Sequence, residues 1–150
     1  MAHAVATIGT TAWSTRVDAG RHSLVADEPA ALGGQDAGPA PYDLLLASLG
    51  ACTAITLRMY AERKGWPLDE ARVELQHHKD GDRSKIVRVL HLTGDLDADQ
   101  RARLADIAER TPVTLTLKAG ADIATSLAEG EGIPTVIPAA ARSAESRDPD

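Results

Sequence analysis

The sequence is poor in rings and in sulfur. Its 150 residues include no phenylalanine, and two tryptophans and two tyrosines bring the aromatic share to only 3%. That argues against a stacking platform for single-stranded nucleic acid, which needs a series of exposed rings. Cations are also scarce. Sixteen Lys and Arg face 22 Asp and Glu, a net charge of −6, so there is no surplus to neutralise phosphates and nucleic acid is not an expected partner. The single cysteine, Cys52, rules out an intramolecular disulfide and a cysteine-rich zinc site. Long apolar runs are missing. The best stretch, Leu44–Leu57, is broken by Ser48, Gly50 and Thr53, and reads as too short and too polar to span a membrane. The opening MAHAVATIGTTAW has no basic segment followed by an apolar one, so no signal peptide is visible and a reducing cytosol is the expected setting. No phosphate loop, dinucleotide glycine fingerprint, zinc-protease motif or nucleophile elbow occurs, and neither a cofactor nor a metal is implied.

What is present is a globular composition, 43% hydrophobic and 25% charged, at a length suited to one domain. The domain is expected over residues 1–138. The segment Ala139–Asp150, AARSAESRDPD after its first residue, is small and polar without apolar period and reads as a tail. Val5, Thr7, Ile8 and Trp13 suit a first strand, Asp18-Ala19-Gly20 a turn, and His22–Ala26 a returning strand. Prolines and glycines from Asp27 to Pro39 predict a loop. Pro41 and then Asp43 suit a helix start. Leu45, Leu49, Cys52, Thr56 and Met59 form one helical stripe, and Gly65 ends the helix behind Arg63 and Lys64. Two strands follow, with Val73, Leu75 and His77 alternating in the first. The second, KIVRVLHLT at Lys85–Thr93, reads as covered on both faces. Asp97 with Gln100 is a capping box, Leu104, Ile107 and Ala108 give the apolar face of a short helix, and Thr111-Pro112 opens another. A last strand is predicted over Asp122–Leu127. Runs of like elements, rather than strict alternation, indicate an α+β fold.

Cys52 is the first candidate for chemistry. A free cysteine in an apolar helix is most often a small buried hydrophobe. Its flanks, Gly50-Ala51-Cys52-Thr53-Ala54, are unusually small, which lets a backbone or a ligand approach. Its mid-helix position gains nothing from the helix dipole, so a reactive thiolate needs a nearby cation. Arg16, Arg21, Arg58, Arg63, Arg72, Arg83 and Arg88 are mostly expected in solvent. His77 and His78 point to opposite faces of a strand and cannot share a metal there. His22 and His91 read likewise as surface or satisfied histidines. Asp43 lies nine residues before Cys52, about 900° of helical rotation, so the two point apart within one helix. Its simplest role is a first-turn carboxylate.

The stretch Gly33–Ala61, GGQDAGPAPYDLLLASLGACTAITLRMYA, together with Arg21–Pro29, the GWPL at Gly65–Leu68 and Leu92–Val113, resembles the osmotically inducible protein C / organic hydroperoxide resistance (OsmC/Ohr) family. The match is carried by its GP-x-P…LLxAxLGxC helix and extends over about residues 5–128. The resemblance implies an intertwined homodimer, with two long helices wrapped by sheets and sites at the subunit contact. It also implies thiol-dependent reduction of organic hydroperoxides. The family's peroxidatic cysteine falls on Cys52. Its resolving cysteine, in a Cys-Pro pair, is replaced by Thr111 before Pro112, so the two-cysteine cycle is lost and a sulfenate would wait for an external thiol. The family's activating glutamate falls on Tyr42, with Asp43 next. The activating arginine is assigned to Arg21, with Arg16 as its substitute.

The sequence thus leads to an OsmC-like homodimer with a redox-active Cys52. If it turns over, it does so as a one-cysteine peroxidase of organic hydroperoxides using an external thiol. Cys52 is the nucleophile, Arg21 the thiolate stabiliser, Asp43 or Tyr42 the orienting partner, and Thr111 the cap of a helix facing the thiol. The rival is a catalytically silent protein of the same fold holding a small hydrophobic ligand. A cysteine hydrolase is a weaker third reading, since no positioned His–Asp pair supports it.

Overall fold

The computed structural model describes residues 1–128, and the tail expected over 139–150 lies outside them. The described chain is α+β, as the order of patterns leads one to expect. Its contacts separate Met1–Thr114 from the residues that begin at Leu115.

In the first of these, β1 (Ala4–Ile8), β2 (Thr15–Ala19) and β3 (His22–Ala26) form an antiparallel sheet in that order. Val17 faces Leu24 and Ala19 faces His22 across the β2–β3 hairpin. Gly20 makes the turn at φ 60°, a conformation that glycine adopts without strain. All five residues of β1 are exposed, so this edge of the sheet is little covered by the described residues. The loop after β3 contains a single 3₁₀ turn at Ala30–Leu32 and is organised around Asp27. The Asp27 carboxylate is buried and accepts from the backbone N–H groups of Trp13, Glu28, Gln35 and Ala37 at 2.8–3.3 Å. Burial opposes ionisation, but the four donors outweigh it and hold the pKa below the usual aspartate value.

Helix α1 (Pro41–Lys64) follows. Pro41 occupies its first turn, Asp43 Oδ2 accepts from Ala40 N at 3.2 Å, and Gly65 closes it at φ 69°. It has the bounds expected from Pro41 and Gly65, and it extends beyond the apolar stretch Leu44–Leu57 because Arg58 is followed by Met59, Tyr60 and Ala61. By length and composition alone it could therefore cross a membrane, contrary to the expectation. Its contacts are those of a core helix: Leu49, Thr53, Leu57, Tyr60 and Ala61 are buried, and it packs against β4 and α2.

Strands β4 (Leu68–Asp80) and β5 (Arg83–Gly94) form a long hairpin. Ala71, Val73, Leu75 and His77 share the half-buried face with Ile86, Arg88, Leu90 and Leu92. The opposite face is open, with Val87 and Val89 exposed. β5 is thus covered on one side, the side on which α1 and the segments around Ala108 and Thr114 meet the hairpin. α2 (Ala98–Ala108) begins at the expected box: Gln100 N donates to Asp97 Oδ1 at 2.7 Å, and Asp97 N to Gln100 Oε1 at 2.9 Å. The core is Leu57, Tyr60, Ala61, Leu68, Leu96, Leu104 and Ala108. α3 (Pro112–Ala119) starts within this part of the chain.

Beyond Leu115, α3 finishes with Gly120 N donating to Thr116 O at 2.8 Å. Residues 121–128 are irregular. The strand expected over Asp122–Leu127 does not form here. A strand exists through its ladder, and this segment has no ladder partner among the described residues. Ile123 and Leu127 are accordingly almost fully exposed.

Candidate functional site

Cys52 lies mid-way along α1 with its side chain partly exposed. Some of the smallness around it is packing. A Cβ on Gly50 would lie 2.9 Å from Leu75 Cδ1, so Gly50 is what lets α1 settle on β4. The thiol makes no hydrogen bond or ion pair with a described residue.

The next residue, Thr53, is fully buried and opens onto a cation. Arg88 reaches up from β5, its side chain 12% exposed. Its Nη1 donates to Thr53 Oγ1 and Thr114 Oγ1, both at 2.9 Å, and its Nη2 to Ala108 O at 2.8 Å. The nearest carboxylate, Glu109, lies 3.7 Å away and is largely exposed. Each hydroxyl proton has a place. Thr53 donates to Leu49 O at 2.7 Å and Thr114 to Ala108 O at 3.2 Å. That leaves Thr111 to donate to Thr114 Oγ1, 2.6 Å away, while its own oxygen accepts from Thr114 N at 3.4 Å and so caps α3. One guanidinium thereby ties the middle of α1 to the end of α2 and the start of α3.

Arg88 is the residue the sequence reading placed in solvent with the other arginines, and the structure corrects this. The signal was available. Ile86, Arg88, Leu90 and Leu92 share a parity, so Arg88 is a charge on an apolar face. Arg58 is a second correction, since it donates to Leu68 O and Asp69 O at 2.7 and 3.1 Å. Asp27 was missed as well, because its four partners are backbone groups that no residue pattern marks.

The other candidates lie elsewhere. Arg21 is exposed in the β2–β3 turn, without an ion pair or hydrogen bond to a described residue. Arg16 is engaged with Asp18 at 3.1 Å. Ser23 and then Arg16 lower the Asp18 pKa. Asp43 is taken up by the helix cap. Tyr42 stacks on His77, ring centroids 4.4 Å apart, and His77 meets Ser84 at 2.9 Å. His78 pairs with Gln76 and His91 with Glu74. Of the five sequence candidates, Thr111 alone joins the Arg88 network beside Cys52.

A family model described as OsmC-like protein matches residues 33–126. The chain belongs to the OsmC-like family. Solved structures share the fold. An OsmC-like protein from Mycoplasma pneumoniae aligns at TM-score 0.69 and 16% identity, over 79% of this chain and 87% of its own. An organic hydroperoxide resistance protein OsmC from Legionella pneumophila gives 0.58 and 23%, over 79% and 89%. The organic hydroperoxide resistance protein OhrB of Bacillus subtilis gives 0.54 and 25%, over 77% and 90%. No curated protein matches the sequence. In this OsmC-like chain Thr111 is buried and its hydroxyl is bonded into the Arg88 network through Thr114.

Proposed function

We propose that this OsmC-like protein serves in the response to organic hydroperoxides through Cys52, as a one-cysteine thiol peroxidase. The observation that carries the reading is the partly exposed thiol on the central helix of an OsmC-like chain, one residue from a threonine that holds a buried guanidinium. Two of its structural neighbours are organic hydroperoxide resistance proteins by name. In the proposed cycle the Cys52 thiolate attacks the terminal peroxide oxygen. The O–O bond breaks, the alkoxide leaves as alcohol on taking a proton, and Cys52 becomes a sulfenic acid. An external thiol condenses with it, releasing water and leaving a mixed disulfide. A second thiol restores Cys52 and departs as disulfide.

In this reading the protein is a cytoplasmic homodimer. A second copy covers the exposed first sheet and the side of α1 that bears Ala51 and Ile55. The exposed Arg21 then serves as thiolate stabiliser across the subunit contact, with Tyr42 or Asp43 orienting it. Thr111 keeps α3 capped beside the thiol. The absence of any described cation in contact with Cys52 favours a second reading, a silent protein holding a small hydrophobic ligand.

Reduced protein treated with an organic hydroperoxide and a sulfenate trap separates the two by intact mass. Rapid stoichiometric trapping, abolished in Cys52→Ser, is the outcome expected here. An unreactive thiol at high peroxide supports the silent protein. Peroxide consumption that survives Cys52→Ser would place the chemistry elsewhere.

A further inference from the structure

Away from the Arg88 network, the C-terminal half of α1 and the end of α2 enclose an open groove of about 550 Å³ lined by Thr56, Met59, Tyr60, Arg63, Ile107 and Arg110. Its chemistry is divided. Met59, Ile107 and the Tyr60 ring are apolar, whereas Arg63 and Arg110 bring two guanidiniums and no carboxylate lines it. The cations around it exceed their partners. Arg103 and Arg110 share one carboxylate, Asp106, at 3.0 and 2.8 Å. Arg63 has no ion pair with a described residue, and its guanidinium carbon sits 5.6 Å from the Tyr60 ring centroid. Lys64 Nζ lies 5.7 Å from the same ring, and Arg103 Nε donates to Tyr60 Oη at 3.1 Å. Arg63, Lys64 and Arg103 thus gather round the Tyr60 ring with Arg110 nearby, in a chain whose net charge is −6. The lowered pKa of Tyr60, caused first by the Arg103 hydrogen bond and then by the charges of Arg103, Lys64 and Arg63, agrees with a locally positive field.

We propose that the groove between α1 and α2 binds a soluble amphipathic anion, a carboxylate whose head lies on Arg63 and Arg110 and whose short apolar tail lies on Met59, Ile107 and the face of Tyr60. Apolar walls with a few convergent charges are the usual make-up of a small-molecule site, and arginine suits a carboxylate through its paired donors. Thr56 and Met59 continue the α1 stripe that bears Cys52, but the binding proposed here needs no activity of Cys52.

The chain has two methionines, Met1 and Met59, so methyl-labelled methionine gives one probe in the groove and one control outside it. Titration with decanoate below its micelle concentration is expected to move the Met59 methyl resonance saturably and leave Met1 in place. Decanol is expected to produce no saturable shift. Arg63→Gln and Arg110→Gln together are expected to weaken decanoate binding roughly tenfold or more, the worth of one charge-assisted bond. Both side chains are exposed, so the fold should persist, as circular dichroism would show. Cys52→Ser is expected to bind as the parent does. Equal binding of decanol, binding that survives the double variant, no shift at all, or a Met59 shift that follows protein concentration instead of decanoate would each overturn the proposal. The last would mean that a second copy occupies the groove.

Discussion

Arg88 carries charge into the interior without a buried counter-ion, and three neutral oxygens take its place. Such a guanidinium is held by geometry. Arg88→Lys keeps the charge but loses the fork that reaches Thr53, Thr114 and Ala108 together. Arg88→Leu removes the bonds altogether, and since Thr53 and Thr114 keep their own proton acceptors, the loss should stay near that of the charged hydrogen bonds, about 2–3 kcal/mol. Urea unfolding should place Arg88→Lys between the parent and Arg88→Leu. Thr111→Val keeps the shape and deletes one hydroxyl, for an expected cost of about 1 kcal/mol. Asp27 behaves differently because it titrates. Its folded pKa is depressed, so the stability it contributes is fully present above the unfolded aspartate value of about 3.9 and is lost as pH falls below that value through the folded one. Trp13, whose backbone N–H donates to this carboxylate and whose indole N–H donates to Leu32 O in the same loop, should report the loosening by its fluorescence. In Asp27→Asn that acid-dependent step should vanish and the loop should already be weakened at neutral pH.

At the scale of elements, helix ends and turns were legible in the sequence because they depend on single residues with local reasons. Pro41, Gly65, Gly20 and the Asp97–Gln100 box each do what their chemistry dictates, and Asp97→Ala should cost about 1 kcal/mol in a thermal melt. Faces were harder. β5 reads as covered on both sides because Val87 and Val89 are apolar, yet coverage depends on how many layers the chain supplies, and among the described residues the helices pack on the other face of the hairpin. The same face pattern contained Arg88, hidden by the habit of assigning arginine to solvent. The segment 122–127 shows another limit, since β propensity cannot supply a ladder partner. Gly50 joins the two kinds of information. Its substitution by Ala gains about 1 kcal/mol of helix propensity but places a methyl against the mobile end of Leu75, so the two effects should nearly cancel. Gly50→Val should cost about 1–3 kcal/mol through overpacking, measurable in the same melt.

For the whole molecule, family and fold class were legible from the GP-x-P…LLxAxLGxC helix and the order of elements. The layout of the candidate site was not, because a residue's neighbours in space come from β5 and α3, far along the chain. Val5, Ile8 and Val25 on the first sheet and Ile55 on α1 are exposed, and the homodimer proposed above would cover apolar residues of this kind. Sedimentation velocity is expected to give twice the mass of the chain, and Ile55→Glu to shift the distribution toward one copy.

Arg88 and its threonines themselves contain nothing that gains or loses a proton where carboxylates do, and Glu109, the carboxylate paired with Arg88, is largely exposed. The clasp joining α1 to α2 and α3 should therefore respond little to mild acid, while the Asp27 loop does respond. On acidification the protein should slacken from its N-terminal end first, with the Arg88 junction still fastened.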